Sequence, residues 1–199
     1  MIHQLERLYS PFERNNNPFY VLIFTILSQR TKDEITEVSA DRLFSKYKNA
    51  EQLSKAKVKD VEKLIKPVGF YHVKAKRIIE TAKIILNKYK GKVPDSLEEL
   101  TSIKGVGRKT ANCVLVYVYN ISTIPVDTHV HRISNRIGLV KTRIPKETEA
   151  ELKRIIPKKY WIKLNYLFVK HGKKICRPVS PKCSECTIKK YCIYGKTKE

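Results

Sequence analysis

The tripeptide Gly105-Val106-Gly107, set between two helical segments, constrains the fold of this chain more than any other feature. Before it, Ser96-x-x-Glu99 is the pattern in which a hydroxyl and a carboxylate cap each other's helix amides. After it, an apolar helix is predicted from about Lys109 to Tyr119. Two glycines around one aliphatic residue allow a tight turn and bring backbone amides to the start of the second helix, where phosphate binds readily. The segment therefore predicts a helix-hairpin-helix.

The rest of the sequence predicts further helices and no strand longer than a few residues. Pro18, at a first helical position, opens the segment PFYVLIFTILSQ, which is apolar nearly all round and should form a central buried helix. Thr31-x-x-Glu34 is a second capping box, expected to open a helix to about Tyr47. Apolar residues at helical spacing predict a long amphipathic helix over 72–89, and shorter helices are expected near 2–9, 49–55, 58–66, 128–137, 146–156 and 160–173. The predicted fold class is all-α.

Charge and hydropathy limit the partners of the chain. Its 199 residues suit one or two small domains, and 41 basic against 19 acidic residues give a net charge of +22. Such an excess indicates a polyanion, most often nucleic acid and less often an anionic membrane surface. The membrane reading is disfavoured because no strongly apolar helix face is left over. The sequence has no run of 18 apolar residues and no signal-peptide core at its start, so an intracellular protein of the cytoplasm or nucleoid is expected.

Four of the five cysteines form a tight group near the end of the chain, Cys176-x6-Cys183-x2-Cys186-x5-Cys192. Four thiolates in one loop can surround a single tetrahedral centre, and their spacing alone allows zinc or an iron–sulfur cluster. Such a group is more typical of a metal site than of a disulfide framework. Cys113, within the apolar helix, is expected to be a buried small hydrophobe.

Together, GVGRKT with Lys109, VDTH with Asp127 eighteen residues later, and the cysteine spacing resemble the endonuclease III branch of the helix-hairpin-helix DNA glycosylases. The resemblance covers nearly the whole chain. It implies a two-lobed fold: a six-helix barrel over 20–126, and a cluster lobe from 1–19 and 127–199. It implies a 4Fe–4S cluster on the four cysteines, with the hairpin and Asp127 at a cleft between the lobes.

The resemblance also implies the chemistry. Lys109 would attack the sugar carbon that holds the damaged base and form a Schiff base, which makes the neighbouring proton acidic enough for elimination. Only about one lysine in 2,500 is neutral at pH 7, so burial and the positive helix start must favour the neutral amine. Asp127 would accept a proton from Lys109 or stabilise positive charge on the sugar. Without the resemblance, Lys109 could be a plain phosphate contact and Asp127 a plain helix N-cap.

The target nucleotide must leave the duplex, and the gap it leaves must be filled. Two segments are candidates for this: the loop Ser28 to Lys32, and the turn Gly69-Phe70-Tyr71-His72. Which of Gln29, Arg30 or Phe70 enters the stack stays open, and Phe70 could instead be a core aromatic. The expected DNA contacts are Gln29, Arg30, Lys32, Phe70, His72, Lys104, Gly105, Val106, Gly107, Arg108, Thr110, His129, Arg132, Arg177 and Lys182.

The leading hypothesis is a monomeric bifunctional glycosylase and AP lyase that removes oxidised pyrimidines from double-stranded DNA and nicks abasic sites. One alternative is a monofunctional adenine or thymine mismatch glycosylase. Adenine enzymes have serine at the lysine position, and thymine mismatch enzymes usually have tyrosine there. Another alternative is a non-enzymatic helix-hairpin-helix protein, which would bind duplex DNA in a salt-sensitive way without cutting it.

Overall fold

The computed structural model describes residues 1–10 and 16–197, and within them the regular structure is entirely helical. One short 3-10 turn precedes the last long helix, and a second lies near the end of the cysteine loop. The helices are α1 (Ile2–Leu8), α2 (Pro18–Leu27), α3 (Asp33–Lys46), α4 (Ala50–Ser54), α5 (Val58–Ile65), α6 (Tyr71–Tyr89), α7 (Leu97–Ser102), α8 (Arg108–Tyr117), α9 (Thr128–Ile137), α10 (Pro145–Ile155), α11 (Trp161–Lys174) and α12 (Ile193–Lys196). The all-α prediction is confirmed, and only the one-turn α12 was not anticipated. No helix in the described ranges is long and apolar enough to cross a membrane.

The chain divides into two compact units. The hairpin unit covers the described residues 16–119, and the cysteine unit combines 1–10 with 120–197. The sequence placed these boundaries at 19/20 and 126/127. Part of that expectation, residues 11–15, lies outside the described residues.

The hairpin unit is built around α2, as its composition predicts. Pro18 occupies the first turn, and the Asn17 side chain caps the helix by accepting from the Tyr20 amide at 3.0 Å. Leu22, Ile23 and Ile26 are fully buried in a core that also takes in one face of α6. This core fixes the ends of α2 and α6, which carry the turns described below.

The cysteine unit has its own core, in which α9 and α11 pack together. Phe168, Leu164 and Ile133 are fully buried there, and Leu5 of α1 joins them. Gly138 ends α9 with φ +89°, a left-handed conformation that glycine adopts without strain. The core holds α9 rigidly, and Asp127 is the N-cap of that helix.

At one predicted capping box the hydroxyl caps the helix but the carboxylate binds that hydroxyl instead of an amide, and the other predicted box is wrong. Ser96 Oγ accepts from the Glu99 amide at 3.2 Å and donates to the Glu99 carboxylate at 2.9 Å. At the second box, α3 begins at Asp33 with Lys32 as N-cap and no capping side chain. Thr31 does not cap this helix because its hydroxyl accepts from the Gly69 amide at 3.2 Å and from the Lys74 ammonium at 3.0 Å.

Candidate nucleic-acid interface and catalytic residues

The predicted hairpin is present, with α7 and α8 joined by the turn at Gly105. Gly105 has φ +87°, a left-handed conformation that favours glycine, and a Cβ there would lie 2.6 Å from the Arg77 side chain, which would have to move. Val106 is buried at 4% exposure and fixes the turn to the core. Gly107 is the N-cap of α8 and faces open space. The structure therefore offers a backbone turn and a helix start to a phosphate, with Arg77 beside them.

Lys109 is the second residue of α8 and is half-buried. Arg108 before it is exposed, whereas Thr110 and Ala111 after it are buried at 2% and 0% exposure. The Thr110 hydroxyl accepts from the Gln29 amide nitrogen at 3.3 Å, which joins α8 to the turn that follows α2. Lys109 thus lies on a fixed helix start, where solvent is partly excluded.

The two candidate gap-filling segments, 28–32 and 69–72, lie against each other. Thr31 Oγ1 accepts from the Gly69 amide, and a Cβ on Gly69 would come within 2.9 Å of the Arg30 carbonyl oxygen. The Arg30 guanidinium lies 5.9 Å from the centre of the Phe70 ring. The structure therefore combines the segments into one element, which we call the paired turn.

Two residues of the paired turn are strained and exposed. Arg30 has φ +52° and Phe70 has φ +58°, which is unfavourable for residues with a Cβ. Phe70 is 64% exposed, so it is not a core aromatic. An exposed aromatic residue held in a left-handed turn is suited to unstacking a base pair.

Other predicted contacts of the hairpin unit are exposed basic side chains. Lys32 is exposed at the start of α3, His72 lies 2.9 Å from the Glu62 carboxylate, and Lys104 lies 3.6 Å from that of Glu80. An open depression of about 280 Å³ beside the hairpin is lined by His72, Val73, Lys76, Arg77, Glu80, Lys104 and Gly105. Its cationic lining suits the phosphate backbone.

Sequence reasoning missed Lys74, the most deeply buried lysine of the hairpin unit. It is only 4% exposed, and its ammonium donates to the carbonyls of Leu27 and Gln29 and to Thr31 Oγ1. Burial, and secondarily the Arg77 guanidinium, lower the pKa of Lys74 from 10.5 to about 8. Its position four residues before Ile78, on the apolar face of α6, is the signal that could have revealed it.

In the cysteine unit, Asp127 is half-buried and caps α9 by accepting from the Val130 amide at 2.8 Å. The hydrogen bond uses Oδ1 and fixes the orientation of the carboxylate. The simple capping role considered from the sequence is therefore real.

His129 and Arg132, predicted as phosphate contacts, pack against α11 at Gly172. A Cβ on Gly172 would lie 2.4 Å from His129 Nδ1 and 3.0 Å from the Arg132 guanidinium. Arg132 donates to the carbonyls of Cys176 at 2.8 Å and of Gly172 at 3.3 Å, and burial lowers its pKa. Its guanidinium therefore holds the end of α11 and the first cysteine in place.

The four cysteines predicted to bind metal line one shared cavity. Cys186 Sγ lies 3.6 Å from His171 Nε2, and the Tyr9 hydroxyl contacts His171 Nδ1 at 3.0 Å. Burial lowers the pKa of His171 to about 4. Burial raises the pKa of the Cys186 and Cys192 thiols, and the neighbouring thiols raise it further. Across the described ranges, no three or more potential ligands are grouped as closely as a bound ion would hold them.

Arg136, which the sequence analysis did not single out, organises the loop after the first cysteine. Its guanidinium donates to the carbonyls of Arg177 at 2.6 Å and Pro178 at 2.8 Å and lies 4.6 Å from the centre of the Tyr194 ring. Of the two basic contacts predicted here, Arg177 is exposed, and Lys182 pairs with Glu185 at 3.0 Å. The fixed loop backbone presents Arg177 to solvent.

Comparison with known proteins identifies the family. A family model described as the HhH-GPD superfamily base excision DNA repair protein matches residues 23–158. Endonuclease III of Thermotoga maritima is 50% identical over 198 residues, covering 98% of this chain and 93% of that protein. The chain belongs to the endonuclease III family.

Other members of the endonuclease III family are similar over nearly the same span. Endonuclease III of Rickettsia conorii is 36% identical and covers 96% of this chain and 95% of that protein. Two solved structures, each covering 98% of this chain and 94% of theirs, match closely: a non-covalent endonuclease III–DNA complex (TM-score 0.92, 32% identity) and a trapped endonuclease III–DNA covalent intermediate (TM-score 0.90, 31% identity). The expected family and fold are therefore confirmed.

Proposed function

We propose that this chain is a bifunctional DNA glycosylase and AP lyase that excises oxidised pyrimidines from double-stranded DNA. The observation that carries the proposal is Lys109, half-buried at the start of α8 directly after a helix-hairpin-helix turn. The hairpin would bind the phosphate beside the lesion and would so hold the Lys109 amine near the deoxyribose.

The reaction balances with Lys109 as the only covalent participant. Its neutral Nζ bonds to C1′ while the bond from C1′ to the base breaks, and the base leaves with a proton. Nζ then loses one proton and the bond between C1′ and O4′ breaks as O4′ takes a proton, which leaves a protonated imine between Nζ and C1′. Loss of a proton from C2′ then expels the 3′ phosphate by β-elimination and nicks the strand, and water hydrolyses the imine to free Lys109.

Asp127 is assigned the proton transfers. Its Oδ1 is engaged by the Val130 amide, and among the described residues no hydrogen bond uses Oδ2. The fixed carboxylate would take the proton that Lys109 loses and would stabilise positive charge on the sugar as the base leaves.

The DNA contacts are proposed from their placement. Exposed Arg30, Lys32, Lys104, Arg108 and Arg177 would bind phosphates, with Phe70 as the unstacking wedge. Gly105 and Gly107 would contribute backbone amides, whereas the Val106 amide already donates to the Ile103 carbonyl at 2.9 Å and its buried side chain would hold the turn in place. Gln29, Thr110 and Arg132 would act by holding the contact surfaces in place, since their side chains already bond within the protein.

We further propose that Cys176, Cys183, Cys186 and Cys192 hold a 4Fe–4S cluster. Four thiols, the donor set that such a cluster takes, line one cavity, and the Gly195 amide and the Arg136 guanidinium donate toward two of the sulfurs at 3.2 and 3.6 Å. Within the described residues the thiols are not grouped at ligand distance, so binding would draw them together. When bound, the cluster would supply a covalent cross-link and a redox centre. Iron and sulfide content should fall in Cys183→Ser and persist in Cys113→Ser, and zinc in their place would refute the assignment.

A thymine mismatch specificity is the second candidate, because a thermostable thymine-DNA glycosylase structure also matches, with a TM-score of 0.85 and 26% identity. Lys109 favours the lyase, because the monofunctional enzymes have other residues at this position. The test is a set of duplexes with thymine glycol, a T·G mismatch or an A·G mismatch, scored separately for base release and for nicking. Release with nicking on thymine glycol supports the proposal, whereas release from T·G without nicking supports the second candidate.

A further inference from the structure

Lys74 has three hydrogen-bond donors on its ammonium, and each has an acceptor. The carbonyl of Leu27 lies at 2.6 Å, that of Gln29 is closer still, and Thr31 Oγ1 lies at 3.0 Å. These acceptors occupy the C-terminal end of α2 and the turn after it, where helix carbonyls lack intrahelical partners and the dipole attracts a cation. The Lys74 ammonium therefore caps the C-terminal end of α2, the helix that leads into the 28–32 segment of the paired turn.

The same lysine is joined to the second half of the paired turn through the backbone. Its amide donates to the Phe70 carbonyl at 3.0 Å, which is the first hydrogen bond of α6. Thr31 Oγ1 links the two halves directly, since it accepts from both Lys74 and the Gly69 amide. Arg30 and Phe70 are thereby held with the guanidinium over the ring.

A buried ammonium is a costly way to hold two turns together. Lys74 is 4% exposed, and its pKa is lowered to about 8, which reports the burial of its charge. The three acceptors at the end of α2 and the turn after it offset that cost, because they satisfy every donor of the ammonium. The charge of Lys74 is therefore bound up with the geometry of the turn.

We propose that Lys74 is a positioning residue that locks the 28–32 loop to the Phe70 turn, so that Phe70 enters the base stack while Arg30, held beside it in the same rigid element, contacts a phosphate during base extrusion. The proposal rests on the proposed function, and it assigns Lys74 no contact with substrate. On this proposal, loss of Lys74 should impair extrusion of the base more than it impairs the later cleavage steps.

The test compares two substrates that differ in the need for extrusion. One is a duplex with a paired oxidised pyrimidine, and the other is the same duplex with a preformed abasic site, in which no base has to leave the stack. Lys74→Met removes the charge at similar length. Lys83→Met, an exposed lysine further along α6, is the matched control for loss of one charge.

Lys74→Met should lower kcat/KM for base release about tenfold or more, as expected for loss of a charge-assisted hydrogen bond. Cleavage of the abasic duplex should change by less than about threefold, and Lys83→Met should resemble wild type on both. A 2-aminopurine beside the lesion should show a smaller fluorescence rise with Lys74→Met, because fewer complexes reach the unstacked state. Equal losses on both substrates, or no loss on either, would overturn the proposal.

Thr31→Val provides a second variant if Lys74→Met does not fold. It keeps the shape of the side chain and removes only the shared acceptor, so it should show the same selective loss to a smaller degree. A normal ratio between the two substrates in folded Thr31→Val would also refute the proposal. Wild-type protein that processes neither substrate would refute the proposed function itself, a result distinct from each of these.

Discussion

Replacing Phe70 with glycine or with alanine distinguishes the backbone strain of its turn from the function of its aromatic ring. The left-handed conformation at φ +58° costs a residue with a Cβ about 1–2 kcal/mol, and glycine avoids that cost. Glycine loses about 0.5–1 kcal/mol more than alanine in backbone entropy on folding. Both Phe70→Ala and Phe70→Gly lose the same ring, so Phe70→Gly should be more stable than Phe70→Ala by about 0.5–1 kcal/mol.

Lys90 supplies a control at the other end of the same helix. It is the exposed C-cap of α6 with φ +51°, so Lys90→Gly should exceed Lys90→Ala in stability by a similar amount. Urea unfolding of the four variants measures both differences. If Phe70→Gly and Phe70→Ala are equally stable while Lys90→Gly is more stable than Lys90→Ala, the Phe70 turn is not strained.

The same four variants test the wedge. Stacking of an aromatic side chain on a base is worth about 1–3 kcal/mol, so both Phe70 variants should lose at least about fivefold in base release from a damaged duplex. The two Lys90 variants should retain wild-type activity. The reasoning fails if the rate of base release differs between the two Phe70 variants in step with their stability instead of falling equally in both.

Three further outcomes follow from single contacts. The folded pKa of Lys74, about 8, lies below its unfolded value of 10.5, so folding releases its proton between these pH values. The unfolding free energy of wild type, measured relative to that of Lys74→Met, should therefore rise by about 1.4 kcal/mol per pH unit in this range. A difference that does not change with pH would contradict the burial of Lys74. Gly172→Ala should lower Tm by more than Gly107→Ala, because its Cβ would meet His129 at 2.4 Å, whereas a Cβ on Gly107 meets nothing within 4 Å and alters only the N-cap of α8; equal Tm values would exclude the clash. Arg30→Gln should reduce the salt dependence of duplex binding by about one unit of slope, and an unchanged slope would remove Arg30 from the phosphate contacts.

The helices and the hairpin were predictable because local signals determine them. Pro18, Asn17 and the Ser96 box mark helix starts through contacts within four residues, and the structure has helices where these signals fall. Gly105 permits the left-handed backbone of the turn in any surrounding, because it has no Cβ. Family membership followed from motifs that are each a few residues long.

The paired turn was not predictable, because long-range contacts build it. Thr31 looks like a helix cap in sequence, but residues 38 and 43 positions later take its hydroxyl. Phe70 could have been a core aromatic, and its exposure follows from a left-handed backbone that no local pattern specifies. Arg132 looks like a phosphate contact, but its guanidinium donates to carbonyls 40 and 44 residues away.

Borohydride trapping tests the central assignment most directly. Wild-type protein incubated with a thymine glycol duplex and borohydride should form a covalent adduct, because the reductant fixes the imine between Lys109 and C1′. Peptide mapping should place the DNA remnant on Lys109, and Lys109→Ala should give none while still binding the duplex. An adduct of undiminished yield in Lys109→Ala, or one mapped to another amine in wild type, would contradict the account.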